Sequence, residues 1–174
     1  LVNAVKEALP ELQLIAEDLG FLTQEVLDLR DNSGFPGMKV LEFAFDSAEP
    51  SNYLPHTYIP NTVCYTGTHD NMTLRQWLDT ATEQTRAYAA AYMNLTEREG
   101  FIWGLIRTAY ASVSDLCVIQ LQDCLELRGD ARMNFPGTTG NNWVWRTLPG
   151  SYDGKLADRL RRLAALYGRL ENEN

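Results

Sequence analysis

The chain has 174 residues, 45% hydrophobic and 22% charged, which is ordinary usage for a globular chain with a sizeable core. Fifteen basic residues against twenty-three acidic ones leave a formal charge of −8. That balance argues against nucleic acid or anionic membrane as a partner, since both need a cationic face, and it carries no penalty for neutral substrates.

No apolar stretch approaches the roughly 20 residues needed to cross a bilayer, and no charged-then-apolar leader opens the sequence. The first residues, Leu1-Val2-Asn3-Ala4-Val5-Lys6-Glu7-Ala8-Leu9, lack an initiator Met and already run in helical rhythm, so a start upstream is expected. Leu12 to Leu19 then reads as a strand. Thr23 is placed to cap a helix carrying Val26, Leu27 and Leu29, which Gly34 and Pro36 end. Met38 to Phe45 reads as a second strand, apolar on both faces through Val40, Leu41, Phe43, Ala44 and Phe45, as a parallel strand is.

Asp46 to Asn61, with three prolines, reads as a loop, and Thr62 to Thr68 as the third strand. Helical patterns follow over Leu74 to Leu78, over about Glu83 to Met93, and from Thr96 onward. In the last of these Thr96 and Glu99 form a capping box, and Ile102, Leu105, Ile106 and Ala109 mark one face. Leu116 to Leu121 reads as a fourth strand, Gly129 to Gly150 as a long loop, and the end of the chain as a helix with the stripe Leu156, Leu160, Leu163, Tyr167 and Leu170. Cys64, Cys117 and Cys124 are an odd set without metal-ligand spacing, which reads as reduced core residues.

Apolar runs alternating with helical patterns indicate repeated β-α units. Four such strands amount to half of a (β/α)8 TIM barrel, whose open edges and inner apolar face predict self-association; a four-stranded open sheet is the alternative. Two apolar runs end in carboxylates: Ile15-Ala16-Glu17-Asp18-Leu19-Gly20-Phe21 and Tyr65-Thr66-Gly67-Thr68-His69-Asp70-Asn71. Strand ends are where an α/β barrel presents catalytic acids, and glycosyl transfer is a reaction that needs one protonated and one ionised carboxyl together. From spacing alone, Glu17 reads equally as a capping or ion-paired carboxylate and Asp70 as a helix N-cap.

These segments, with Gly37-Met38-Lys39-Val40-Leu41-Glu42-Phe43-Ala44-Phe45, Leu54-Pro55-His56, Arg132-Met133-Asn134-Phe135-Pro136-Gly137 and Asn142-Trp143-Val144-Trp145-Arg146, closely resemble the 4-alpha-glucanotransferases, also called amylomaltases, of glycoside hydrolase family 77. The resemblance runs in order over almost the whole chain. It implies that residues 1–174 are the C-terminal part of a single catalytic barrel domain, about strands five to eight.

The same resemblance implies that Glu17 is the general acid/base, Asp70 the carboxylate that stabilises the transition state, and His69 a sugar-binding imidazole. A nucleophilic aspartate is then expected upstream of residue 1. Asn134 and His56 are candidate substrate contacts, His56 with an equal structural reading. Trp143 and Trp145 could stack on sugar rings, although core packing is the reading favoured for both, and Asp18 reads as a structural acceptor. Met72 departs from the family's Asp-Asn-Asp-Thr pattern, in a position where the loop would otherwise carry a second acid.

The implied activity is transfer of α-1,4-glucan segments to glucose or maltooligosaccharide acceptors by retaining double displacement, with no cofactor and no metal. The implied location is cytoplasmic, with a plastid left open. A non-catalytic glucan-binding remnant and an α-glucan hydrolase are the alternative functions.

Overall fold

The computed structural model describes residues 2–20, 22–45 and 52–170. Helix α1 spans Val2–Ala8 and α2 Gln24–Ser33, where Gly34, in the left-handed region at φ 69°, turns the chain out of the helix. Strand β1 (Gly37–Val40) leads into a 3₁₀ turn over Leu41–Phe45, and β2 covers Thr62–Tyr65. Helices α3 (Leu74–Thr80), α4 (Glu83–Met93) and α5 (Phe101–Tyr110) follow. The chain ends with β3 (Leu116–Val118), the single turn α6 (Leu121–Cys124) and α7 (Gly154–Leu166).

The three strands form one parallel sheet in the order β1-β2-β3, with Val63 opposite Leu116 and Cys64 opposite Cys117. Helices cover one face. There Leu41, Phe45, Cys64, Leu74, Trp77, Ile102, Leu105 and Ile106 make the core, and Cys117 packs against it. Successive residues of a strand face opposite sides, so Val63, Leu116 and Val118 point the other way. On that second face Val63 is buried, but Leu116 and Val118 remain 49% and 37% exposed.

Each expected strand is shorter than the sequence pattern. Leu12 to Leu19 does not form a strand; Ala16 alone makes a parallel bridge, to Gly37. The Met38 N–H, placed to extend that pairing, is taken by Asp18 Oδ1 at 2.6 Å. Met38 to Phe45 leaves the ladder after Val40 and coils, because the coil puts Leu41, Ala44 and Phe45 into the core together. The Phe45 ring then meets Trp77, Tyr88 and Tyr92 at centroid distances of 6.2, 5.8 and 5.7 Å. Leu121, expected to end the fourth strand, begins α6 instead.

The capping box before α5 forms in part. Thr96 Oγ1 accepts the Glu99 N–H at 3.3 Å, but the helix begins two residues later, and the Glu99 carboxylate turns to Arg107 Nε at 2.9 Å. Thr23 occupies the N-cap position of α2 without a side-chain cap bond. Of the α7 stripe, Leu156, Leu160 and Leu163 pack on the core and Asp153 Oδ1 caps the Leu156 N–H at 3.0 Å, but the helix ends at Leu166, so Tyr167 and the exposed Leu170 lie beyond it. The three cysteines are free thiols. The expected loop at Asp46 to Asn61 is described only from Asn52, where it includes a 3₁₀ turn at Pro55–Thr57; its residues 46–51, like Phe21, lie outside the described residues. No helix among the described residues is long and apolar enough to cross a membrane.

Candidate active site

The candidate site is built on the loop that follows β2. Thr68 to Asn71 is a tight turn, closed by the Asn71 N–H donating to the Thr68 carbonyl at 3.1 Å. The Asn71 side chain locks it, its Oδ1 accepting from the Thr68 N–H at 2.9 Å and the Thr68 hydroxyl at 2.8 Å. Asn in a turn commonly satisfies backbone groups in this way, which leaves the two residues between the anchors projecting outward. Those two are His69 and Asp70.

Asp70 is the hub. Its Oδ1 accepts from Asn134 Nδ2 at 2.6 Å and lies 3.3 Å from His69 Nε2. The Asn134 N–H donates to the His69 carbonyl at 3.1 Å, and the Arg132 guanidinium holds the carbonyls of both Asp70 and Asn134. Trp143 completes the cluster with its ring 4.8 Å from the His69 imidazole. The Trp143 backbone sits in the left-handed region at φ 64° and is tied to the Met133 carbonyl at 2.7 Å. A non-glycine residue held there is uncommon and indicates a loop whose shape is imposed by its contacts. The Asp70 side chain is 46% exposed, so the carboxylate is oriented on one side and open on the other.

Two acids that the sequence reading passed over lie beneath this loop. Asp123 is fully buried at α6, where Oδ2 accepts from the Thr66 hydroxyl and Oδ1 from the Leu74 N–H, both at 2.7 Å. It therefore fastens the end of β2 to the start of α3. Burial raises its pKa to about 6, against those two donated hydrogen bonds. Glu42 is 6% exposed, and burial together with the Asp123 charge raises its pKa to about 9, opposed by Arg132 and the Met72 N–H. Burial thus drives both acids toward the protonated form, Glu42 the more strongly. The sequence signal was a lone Glu inside the apolar run Val40-Leu41-Glu42-Phe43-Ala44-Phe45.

The remaining candidates lie apart from the cluster. Glu17 follows the Ala16 bridge and is exposed, while its neighbour Asp18 faces inward and is buried. Asp18 acts as a structural acceptor, bonded to the Met38 N–H and, at 2.6 Å, to Arg30. Among the described residues no hydrogen bond or ion pair joins Glu17 to His69, Asp70 or Asn134. His56 is paired with Tyr92, Nδ1 to the hydroxyl at 2.8 Å.

Trp143, favoured as a core residue, is instead 51% exposed beside His69; Trp145 is half-buried. Met72 packs against the apolar core, so the position that departs from the acidic pattern is used for packing. No group of three or more His, Cys, Asp or Glu among the described residues could hold a metal ion.

Comparison with known proteins bears on this cluster. A family profile described as 4-alpha-glucanotransferase matches residues 1–150. The chain is 44% identical over 172 residues to a 4-alpha-glucanotransferase of Clostridium butyricum, covering 98% of this chain and 35% of the relative. It is 46% identical over 175 residues to one of Streptococcus pneumoniae, covering 100% and 34%. Among solved structures, an amylomaltase from Streptococcus agalactiae in complex with acarbose superposes with a TM-score of 0.93 at 37% identity, over 98% of this chain and 35% of that one. The chain thus spans about a third of the length of the relatives it matches.

Proposed function

Because the chain belongs to the 4-alpha-glucanotransferase family, we propose that it supplies the acid/base and the transition-state carboxylate of an enzyme that transfers α-1,4-glucan segments to glucose or maltooligosaccharide acceptors. In this reading the segment is one part of a (β/α)8 barrel and works together with the rest of it. Several observations support the barrel. Ala16, β1, β2 and β3 follow one another in parallel, each beside its sequence neighbour. Both faces of the sheet are apolar, yet Leu116 and Val118 on one of them are uncovered. Remaining barrel strands would cover that face; a preparation of this segment alone would self-associate through it.

Breaking an α-1,4 bond by double displacement needs a carboxyl acid to protonate the leaving oxygen, a nucleophile, and fixed negative charge near the developing oxocarbenium ion. Glu17 takes the first role, and its side chain is exposed and so open to a substrate. The nucleophile is assigned to a part of the barrel outside these residues. Asp70 takes the third role, and the observation that carries the whole reading is how it is held. Its carboxylate stands past the C-terminal end of β2, oriented by Asn134 and His69 before any substrate arrives. Fixed charge of this kind costs no reorganisation during reaction, which is why it lowers a barrier. His69 and His56 are proposed sugar contacts, with the exposed Trp143 indole as a stacking surface beside His69, while the Asn134 amide, a sugar-contact candidate by sequence, is read here as the group that orients Asp70. The reaction needs no metal or organic cofactor, and the cytoplasm is the proposed setting.

Product analysis with maltotriose tests the reading in the polypeptide that joins this segment to the rest of the barrel. Transfer yields glucose together with oligomers longer than the substrate. Glucose without longer oligomers identifies a hydrolase, and retained glucan binding without turnover identifies a binding module.

A further inference from the structure

Glu42 has no role in the chemistry above, yet it lies against the loop carrying His69 and Asp70. Its N–H donates to the Thr66 carbonyl at 3.2 Å, which ties its backbone to the start of the segment 66–72. Gly67 comes next in the chain. A Cβ on Gly67 would stand 2.8 Å from Glu42 Oε1, 3.1 Å from Gln120 Nε2 and 3.1 Å from Asn71 Cβ. The loop is therefore pressed against the carboxyl with no room for a methyl group.

Glu42 Oε1 and Gln120 Nε2 are both buried without a hydrogen-bond partner, and both lie against the same glycine. An unsatisfied buried polar pair costs stability and persists where the fold needs the group in place. Asp123 anchors the opposite side of the same strand end through Thr66.

We propose that Glu42 is a positioning residue for Asp70, bracing the Thr66 to Met72 loop from below through its close contact with Gly67 while Gln120 closes the same contact from β3's side. This rests on the assignment of Asp70 as the transition-state carboxylate. Asp70 sits three residues beyond Gly67, so a loop released there would let its carboxylate drift from Asn134. A small misplacement of an oriented charge lowers the rate more than it lowers affinity.

The test is a double-mutant cycle in the full enzyme that carries this segment, reading kcat and KM for maltotriose. Glu42→Ala is expected to lower kcat at least about tenfold with KM within about threefold. In an Asp70→Asn background the same change is expected to lower kcat less than about twofold, because the group it positions is already disabled. Glu42→Gln keeps the shape that fills the space beside Gly67, so it recovers most of the lost rate.

Should Glu42→Ala fail to fold, Gly67→Ala enters the same cycle with the same expected coupling. A loss of kcat in Glu42→Ala that persists undiminished in the Asp70→Asn background overturns the positioning role alone. An Asp70→Asn enzyme with undiminished kcat overturns the assignment of Asp70, and this inference with it.

Discussion

Asn134→Ala removes the one side chain that donates directly to the Asp70 carboxylate, across 2.6 Å. A hydrogen bond to a charged group contributes roughly 1.5–3 kcal/mol. Asp70 is nearly half exposed, so water replaces part of what is lost, and the lower end of that range applies. Since about 1.4 kcal/mol corresponds to a factor of ten in rate, the variant is expected to lose about tenfold in kcat. KM should change little, because the lost bond orients a catalytic group and does not hold sugar.

Asn134→Asp is a sharper form of the test. It is nearly isosteric but brings a second carboxylate against Asp70, and it should cost more than the alanine. The assay is initial-rate glucose release from maltotriose over a range of concentrations, with melting temperature as the control for folding. A tenfold rise in KM at unchanged kcat would refute the reasoning and make Asn134 a direct reader of sugar hydroxyls.

Three other changes have defined outcomes. Glu17→Gln should cost on the order of 10²–10⁴ in turnover of maltotriose, with the glycosylation step restored for glycosyl fluorides whose leaving group needs no proton; turnover within a few-fold of the unaltered enzyme contradicts the acid/base role. Glu42→Gln tests the raised pKa: a folded-state value of about 9 means the native state holds a proton the unfolded chain has already released, so stability falls as pH rises from about 4.5 to 9. The amide does not titrate, so its melting temperature relative to the unaltered protein should climb by several degrees between pH 6 and 8, roughly 2–3 kcal/mol; a difference independent of pH refutes it. Asp18→Ala removes the acceptor of the Met38 N–H and one of the two carboxylates paired with Arg30, which keeps Asp31, and a loss of about 1–3 kcal/mol is expected by denaturant melting; a loss below about 0.5 kcal/mol would show that this pair does not tie the Glu17 segment to β1.

Helices were legible where sequence punctuation was strong. Helix α4 has the bounds its pattern indicates because Thr82 caps its start and Asn94, at φ 51°, ends it. Strand lengths were not legible. A run such as Val40 to Phe45 is apolar at every position but one, and such a run packs equally well extended or coiled; the pull of Phe45 toward Trp77, Tyr88 and Tyr92 decides it. In the site, His69 and Asp70 were legible from their motif. The bond from Asn134 to Asp70 was not, since 64 residues separate them. Glu42 and Asp123 were missed for a different reason: their properties come from burial, and a carboxylate's residue type carries no sign of it.

In the proposed mechanism Asp70 acts as preset negative charge, used in the transition state and not in binding. The measurement that tests it most directly compares Asp70→Asn with the unaltered enzyme, taking kcat from maltotriose disproportionation and oligosaccharide affinity from calorimetry on the same preparations. A fall in kcat of about 10² or more with affinity kept within about tenfold is the expected result. Affinity lost while kcat stands unchanged would make Asp70 a sugar-binding carboxylate and contradict the claim.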